Sequence, residues 1–422
     1  MDPNATGHAL AVFAAAVMAF TAGAYLARSR KRVRRVLKLL IALAILEAVY
    51  GLVENLTRHQ HIFWIPVGGD FARGTFYNRN HFAATLSMFL PVMIGWFYFR
   101  AAAAKSRHER THLLPATSWD ILGTKHGLWL LAPAALVLAI IQSQSRGGFS
   151  SMILGVALMF AVGARRKTSR TIAWLTIPLA LALFVYGINS DYQAVLDRFG
   201  KLVEKPAAEG RTTIWNDSLG IVRDYPVFGI GLGNFPRAYM QYASVSTLNY
   251  PYQAHNEWLE GLLTLGILGM VLVTCTFAAF LWKTFRQIRA TGPDYPWLLG
   301  CWCGLVALAF HSFGEFNLHI PSIAVTSALF AGVLLGVGPA HRSAHSGSHQ
   351  SERSGHSHRS HHRSREHHSS GPRKMKTFPM RAPVKADAEV TGETSPKTAN
   401  AEESAKGDSV AASVGADSGL PE

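Results

Sequence analysis

Arg146, Arg211 and His255 are the residues of this chain whose types and settings best suit chemistry, and all three sit beside apolar runs or in the polar interval between them. Arg146 lies in SQSRGGFSS, where two apolar stretches meet. Arg211 follows Gly210 in GRTTIW, and His255 stands in AHNEW, where another apolar stretch begins. A guanidinium binds phosphate oxygens in a bidentate fashion, and a helix N-terminus adds amide donors and a favourable dipole. An imidazole titrates near neutrality and can accept a proton from a hydroxyl. Each residue also has a plainer reading. An arginine near mid-membrane costs roughly 2.5–3.5 kcal/mol on insertion scales and needs a partner or a job, yet Arg146 could simply snorkel to the interface. Arg211 could pair with Glu209 or Asp217. His255 could be only an interfacial hydrogen-bonder; as a base, its ring could be oriented by Asn256 and Glu257.

The elements that must position these side chains follow from the surrounding pattern. Asn189 to Asn256 is the only long polar interval before residue 340. In it, SDYQAVLDRFGKLV puts Tyr192, Val195, Leu196, Phe199 and Leu202 on one helical face. A second helix is expected from about Arg211 to Asp224, stopping before Pro226. GIGLGNF imitates a nucleotide fingerprint, but no strand–turn–helix unit surrounds it, so Gly229, Gly231 and Gly233 read as a tight turn. Trp215, Tyr225, Tyr239, Tyr242, Tyr250, Tyr252 and Trp258 could stack on sugar rings or form an interfacial aromatic belt.

The rest reads as an all-α polytopic membrane bundle. With 422 residues and a mean hydropathy of +0.14, the average hides two unlike parts. Residues 1–339 hold the apolar matter; 340–422 are rich in Ser, His, Arg and then Ala and Glu, a composition that cannot bury enough apolar surface to order itself. About nine spans are expected, at 8–26, 36–56, 81–99, 127–143, 147–163, 171–188, 257–282, 297–314 and 319–337. ARSRKRVRR, RAAAAKSRHER, ARRKTSR and WKTFRQIRA make every second loop basic. That pattern accounts for the net charge of +15 as an orientation signal, not a nucleic-acid footprint. It leaves the N-terminus, 57–80, 144–147, the large loop 189–256 and 315–318 outside, with the tail in the cytoplasm. Gly148, Ser151 and Gly155, and likewise Gly266 and Gly269, suggest close helix packing. Cys275, Cys301 and Cys303 form no metal or disulfide pattern, and the irregularly spaced tail histidines define no metal site.

SRGG at an outer turn, GR-x3-W, DYPVFGIGLGNF and HNEWLEGLLTLGILG, in that order and on one side, together resemble the bacterial O-antigen ligase and O-antigen polymerase family. GTFYNRNHFA is similar to its N-terminal signature, and the resemblance runs from about residue 75 to 335. It implies an inner-membrane transferase with its active face periplasmic. Such an enzyme moves a glycan from an undecaprenyl-diphosphate carrier to a hydroxyl of lipid A core or of a growing polysaccharide, with no cofactor and no metal. Arg146 and Arg211 then hold the diphosphate and His255 activates the acceptor, with Asn80, Asn256 and Trp215 assigned to substrate binding. The expected partners are that donor, a saccharide or lipid A core acceptor and membrane lipid, but no nucleic acid. Family members often have about twelve spans and start in the cytoplasm, as though three N-terminal spans were missing here, and the tail is not part of their pattern. The competing reading is a small-solute transporter, supported by Glu47, Glu54 and Glu315 near span ends.

Overall fold

The computed structural model describes residues 3–111, 131–163, 209–244 and 251–338. The expected span at 171–188, the expected loop helix near 192–202, Tyr250 and the tail lie outside them. Ten helices occupy the described residues: α1 (Pro3–Leu26), α2 (Arg30–Thr57), α3 (Arg79–Thr111), α4 (Leu131–Gln142), α5 (Arg146–Gly163), α6 (Glu209–Asp224), α7 (Phe235–Tyr239), α8 (Glu257–Ile288), α9 (Tyr295–His311) and α10 (Pro321–Gly336). Among the described residues, the one departure from an all-helical fold is a two-residue ribbon, β1 (His61–Ile62) with β2 (Ile65–Pro66), paired His61 to Pro66.

Among the described residues, five helical stretches are long and apolar enough to cross a membrane: α1, α2, Arg79–Arg100 of α3, α5 and α8. α4 and α10 are apolar but shorter. Large apolar side chains such as Phe13, Met18, Leu39, Leu46, Val271 and Leu272 are exposed on α1, α2 and α8. A water-soluble protein seldom leaves such stripes uncovered. The buried core lies among α2, α3, α4, α5, α9 and α10, where Phe82, Leu86, Trp297, Leu308 and Phe330 are almost wholly enclosed. α9 packs along α3 and α5, and α1 along α10. The α9–α3 and α1–α10 contacts are close because glycines face backbone: Gly300 and Gly304 meet the carbonyls of Pro91 and Met88, and Gly332 that of Phe20.

The polar interval has its own small core. Ile221 of α6, Phe235 and Tyr239 of α7, Ala254 of the loop before α8 and Leu263 of α8 are buried together. Asp217 fastens α6 to α7 and the turn beyond it, accepting from Tyr239 Oη and from Ser244.

α8 is two helices joined at a break, which corrects the expectation of one uninterrupted span over 257–282. Gly266 has φ 66° and ψ −176°, a conformation that glycine tolerates and other residues avoid. The break frees carbonyls before it and amides after it, and the glycine turn takes up both sets. Ile230 and Gly231 donate to the carbonyls of Leu263 and Thr264; Ile267 and Leu268 donate to those of Pro226 and Val227. Buried backbone groups must find partners somewhere. GIGLGNF is thus a turn, as its glycines suggest, but one built to splice a broken helix. Gly266 serves that break instead of helix packing, whereas Gly148 and Gly155 do pack, against Ala83 and against Ala307 and Pro91.

Candidate functional site

Glu315 is the centre of the polar cluster at one end of the bundle. It lies in the link between α9 and α10, is 2% exposed, and gathers three side chains from three other elements. Arg211 Nη2 donates to its Oε1 at 2.5 Å while Nη1 donates to the Gly314 carbonyl at 2.6 Å. Asn80 Nδ2 also donates to Oε1, at 2.5 Å. His255 Nδ1 stands 3.4 Å from Oε2, at the outer limit of a hydrogen bond. Burial by itself would push this carboxyl up. The hydrogen bond from His255 and the positive charge of Arg211 outweigh burial and bring it down to about 2. Glu315 is therefore a permanent carboxylate. Facing it, His255 carries its proton on Nδ1 and leaves Nε2 as the basic nitrogen, a pairing that fixes both tautomer and ring orientation.

Each partner is placed by its own element. Arg211 lies in the first turn of α6. His255 has φ 50°, a left-handed conformation that non-glycine residues adopt at a cost and that surrounding bonds must enforce. Those bonds are present on both sides. Trp215 Nε1 donates to the Ala254 carbonyl at 2.8 Å, and the Ala254 amide donates to Glu260 Oε2 at 2.9 Å. Just after His255, the Asn256 side chain caps α8, accepting from the amides of Trp258 and Leu259. The Glu257 amide donates to the carbonyls of Ser312 and Glu315, tying the start of α8 to the α9–α10 link.

A second row of buried groups lies beside the first. His81 Nδ1 is 3.3 Å from Asn317 Oδ1, and Asn317 Nδ2 donates to His311 Nδ1 at 3.0 Å. The Phe316 ring meets both His81 and His255 edge-on, at 4.7 and 5.0 Å between centroids. His311 in turn lies against Gly147, where a Cβ would come within 2.7 Å of its ring. This row connects the cluster to the turn that carries Arg146. That turn is the compact polar bend its serines suggest: Gln144 is left-handed, Ser145 Oγ accepts from the Gly148 amide, and α5 starts at Arg146, which is exposed.

The structure thus brings Arg211, His255 and Asn80 onto one carboxylate. Trp215 and Asn256 hold the loop of His255. Arg146 sits at the same end of the bundle, past His311. Arg211 pairs with Glu315, and Asp217 is engaged by Tyr239 and Ser244. Glu315, the residue that organises the site, figured in the sequence only as a polar span end. Its signal was present in FGEFNLH: acid, amide and imidazole crowded into a link too short to leave the bundle end. Of the other span-end acids, Glu47 accepts from the amide and hydroxyl of Thr75, and Glu54 from His59 Nδ1 and the His61 amide. Both fasten the 58–78 loop.

Residues 131–274 match the family model described as O-antigen ligase. That stretch is similar to the O-antigen ligase family. The matched stretch contains Arg146, Arg211, Trp215, His255 and Asn256; Asn80 and Glu315 lie outside it and are delivered by the fold. The chain is also similar to the probable peptidoglycan glycosyltransferase FtsW of Thioalkalivibrio sulfidiphilus, at 29% identity over 221 residues, covering 50% of each chain. It spans about half the length of that curated relative.

Proposed function

We propose that this chain is a membrane glycosyltransferase of the O-antigen ligase or polymerase type. It moves a glycan from an undecaprenyl-diphosphate carrier to a hydroxyl of lipid A core or of a growing surface polysaccharide, at the periplasmic face of the inner membrane. The observation that carries this reading is Glu315 joining Arg211 to His255. One carboxylate holds a cation suited to a diphosphate and a base suited to a hydroxyl. His255 Nε2 takes the proton of the acceptor hydroxyl as its oxygen bonds to the sugar's anomeric carbon. The bond from that carbon to the diphosphate breaks, and the electron pair leaves with the lipid diphosphate, whose charge Arg211 and Arg146 stabilise. In the resting structure Arg211 is held by Glu315 and the Gly314 carbonyl, so the donor must share or exchange those bonds. The matched O-antigen ligase stretch and the relative named a probable glycosyltransferase support this reading over a transporter.

The test replaces Arg146, Arg211 and His255 singly with Ala in the native host. Surface polysaccharide should fall and lipid-linked glycan accumulate for each variant that inserts normally. Unchanged display in all three would overturn the mechanism.

A further inference from the structure

The base and the carboxylate that orients it stand on different loops, so their spacing depends on what ties those loops together. His255 belongs to 251–256 and Glu315 to 312–320. Two acids in the first turn of α8 reach one loop each: Glu260 Oε2 accepts from the Ala254 amide at 2.9 Å, and Glu257 Oε2 from the Leu318 amide at 2.9 Å. Their remaining oxygens face a single imidazole. His319 Nδ1 is 3.2 Å from Glu257 Oε1, and its Nε2 is 3.2 Å from Glu260 Oε1. At Nδ1 the attraction is one of charge, since the geometry is off the line of a good hydrogen bond. His319 ends the 3-10 turn Asn317–His319, ahead of α10, so the expected span from 319 begins two residues later, at Pro321. Phe316 lies edge-on to both His319 and His255. Burial disfavours charge on His319, but the two carboxylates of Glu257 and Glu260 outweigh it and take its pKa up to about 10. Without a cation between them, two like charges three residues apart on a helix repel.

We propose that His319 is a positioning residue: as a cation bridging Glu257 and Glu260, it latches the loop of His255 to the loop of Glu315. It acts through Glu260 and the Ala254 amide, not on substrate. The inference rests on the reading of His255 as the base. The charged groups that face His319 are Glu257 and Glu260 of α8; across Phe316 stand His255 and, beyond it, Glu315.

The experiment compares the full chain in lipid nanodiscs with His319→Gln and His319→Lys. It measures amide exchange over 251–256, glycan turnover with lipid-linked glycans from host membranes, and competition by farnesyl diphosphate as a probe of the arginines. For His319→Gln, exchange at Ala254 should quicken and turnover fall, each by about 10-fold, because small misplacements of a base are costly. Farnesyl diphosphate competition should stay put, and His319→Lys, which restores the cation, should recover most of both losses. Unchanged exchange in His319→Gln overturns the latch. So does a His319→Lys variant no better than Gln, or competition lost along with turnover, which marks general support of the fold. Loosened exchange with full turnover overturns the positioning role alone. A wild-type chain that neither transfers glycan nor binds the probe sinks the functional reading itself, and the positioning role with it. Should His319→Gln not fold, Glu260→Gln keeps the shape without the charge and is read the same way.

Discussion

Glu315 organises the polar cluster at the scale of single residues, because one buried carboxylate is shared between a guanidinium and an imidazole. Its replacement by Gln keeps the volume and removes the charge that orients His255. Transfer should fall by roughly 10²-fold or more, within the range a positioned base contributes, and a turnover assay checks it. Stability should drop by about 1–3 kcal/mol as Arg211 and Asn80 lose a charged acceptor. The pH dependence has a definite sign. The carboxyl is depressed from 4.5 to about 2 by His255 and Arg211 against the pull of burial, so its contribution is complete above 4.5 and vanishes as pH falls towards 2. Acid unfolding of wild type and Glu315→Gln should therefore converge across that window. His319 has the opposite sign. Raised from 6.5 to about 10, it contributes fully below 6.5 and loses that contribution as pH rises through 10. Thermal unfolding of wild type and His319→Gln should differ at pH 6 and converge in alkali.

At the scale of elements, the interrupted α8 governs where the site's residues stand. Gly266→Ala would drive a Cβ into the Val227 carbonyl and force a residue into a region that only glycine occupies comfortably. A loss of about 1–3 kcal/mol is expected, with faster amide exchange at Ile230 and Gly231, whose acceptors lie on the broken turn. Asn256→Ala should cost about 1 kcal/mol through the lost cap and loosen His255, seen as turnover falling further than stability alone explains. Helix positions were legible in the sequence: α6 starts two residues before Arg211 and stops at Asp224, ahead of Pro226 as expected. The break in α8 was not. A glycine amid LTLGILG looks like a packing residue until the partner of its freed carbonyls is known.

For the whole molecule, the described helices place the two kinds of loop at opposite ends. α1 begins where Thr6 donates to the Leu232 carbonyl beside the site's glycine turn. At the other end Arg34 donates to Asp294 at 2.8 Å, Arg30 stands 3.8 Å from the same acid, and Gln287 reaches the carbonyls that end α10. Two of the basic stretches, at 30–35 and 283–289, thus lie together at one end, and a labelling test assigns the sides. Tyr252→Cys, at a position 80% exposed beside His255, should react with an impermeant maleimide from outside the inner membrane. Ala290→Cys, at the basic end, should react only after permeabilisation. Reaction of both from one side would overturn the proposed topology.

From its sequence alone, this chain determined its class: apolar runs long enough to need lipid, basic loops in alternation, and arginine and histidine at their borders. Those features are local, set by composition and by distances along the chain. Which acid would meet Arg211 and His255 was decided only in three dimensions. Glu315 lies 104 residues from the one and 60 from the other, and no periodicity spans such gaps. The same holds for the splice between GIGLGNF and α8 and for the ion bridge at His319, where burial leaves polar groups no partner but one another.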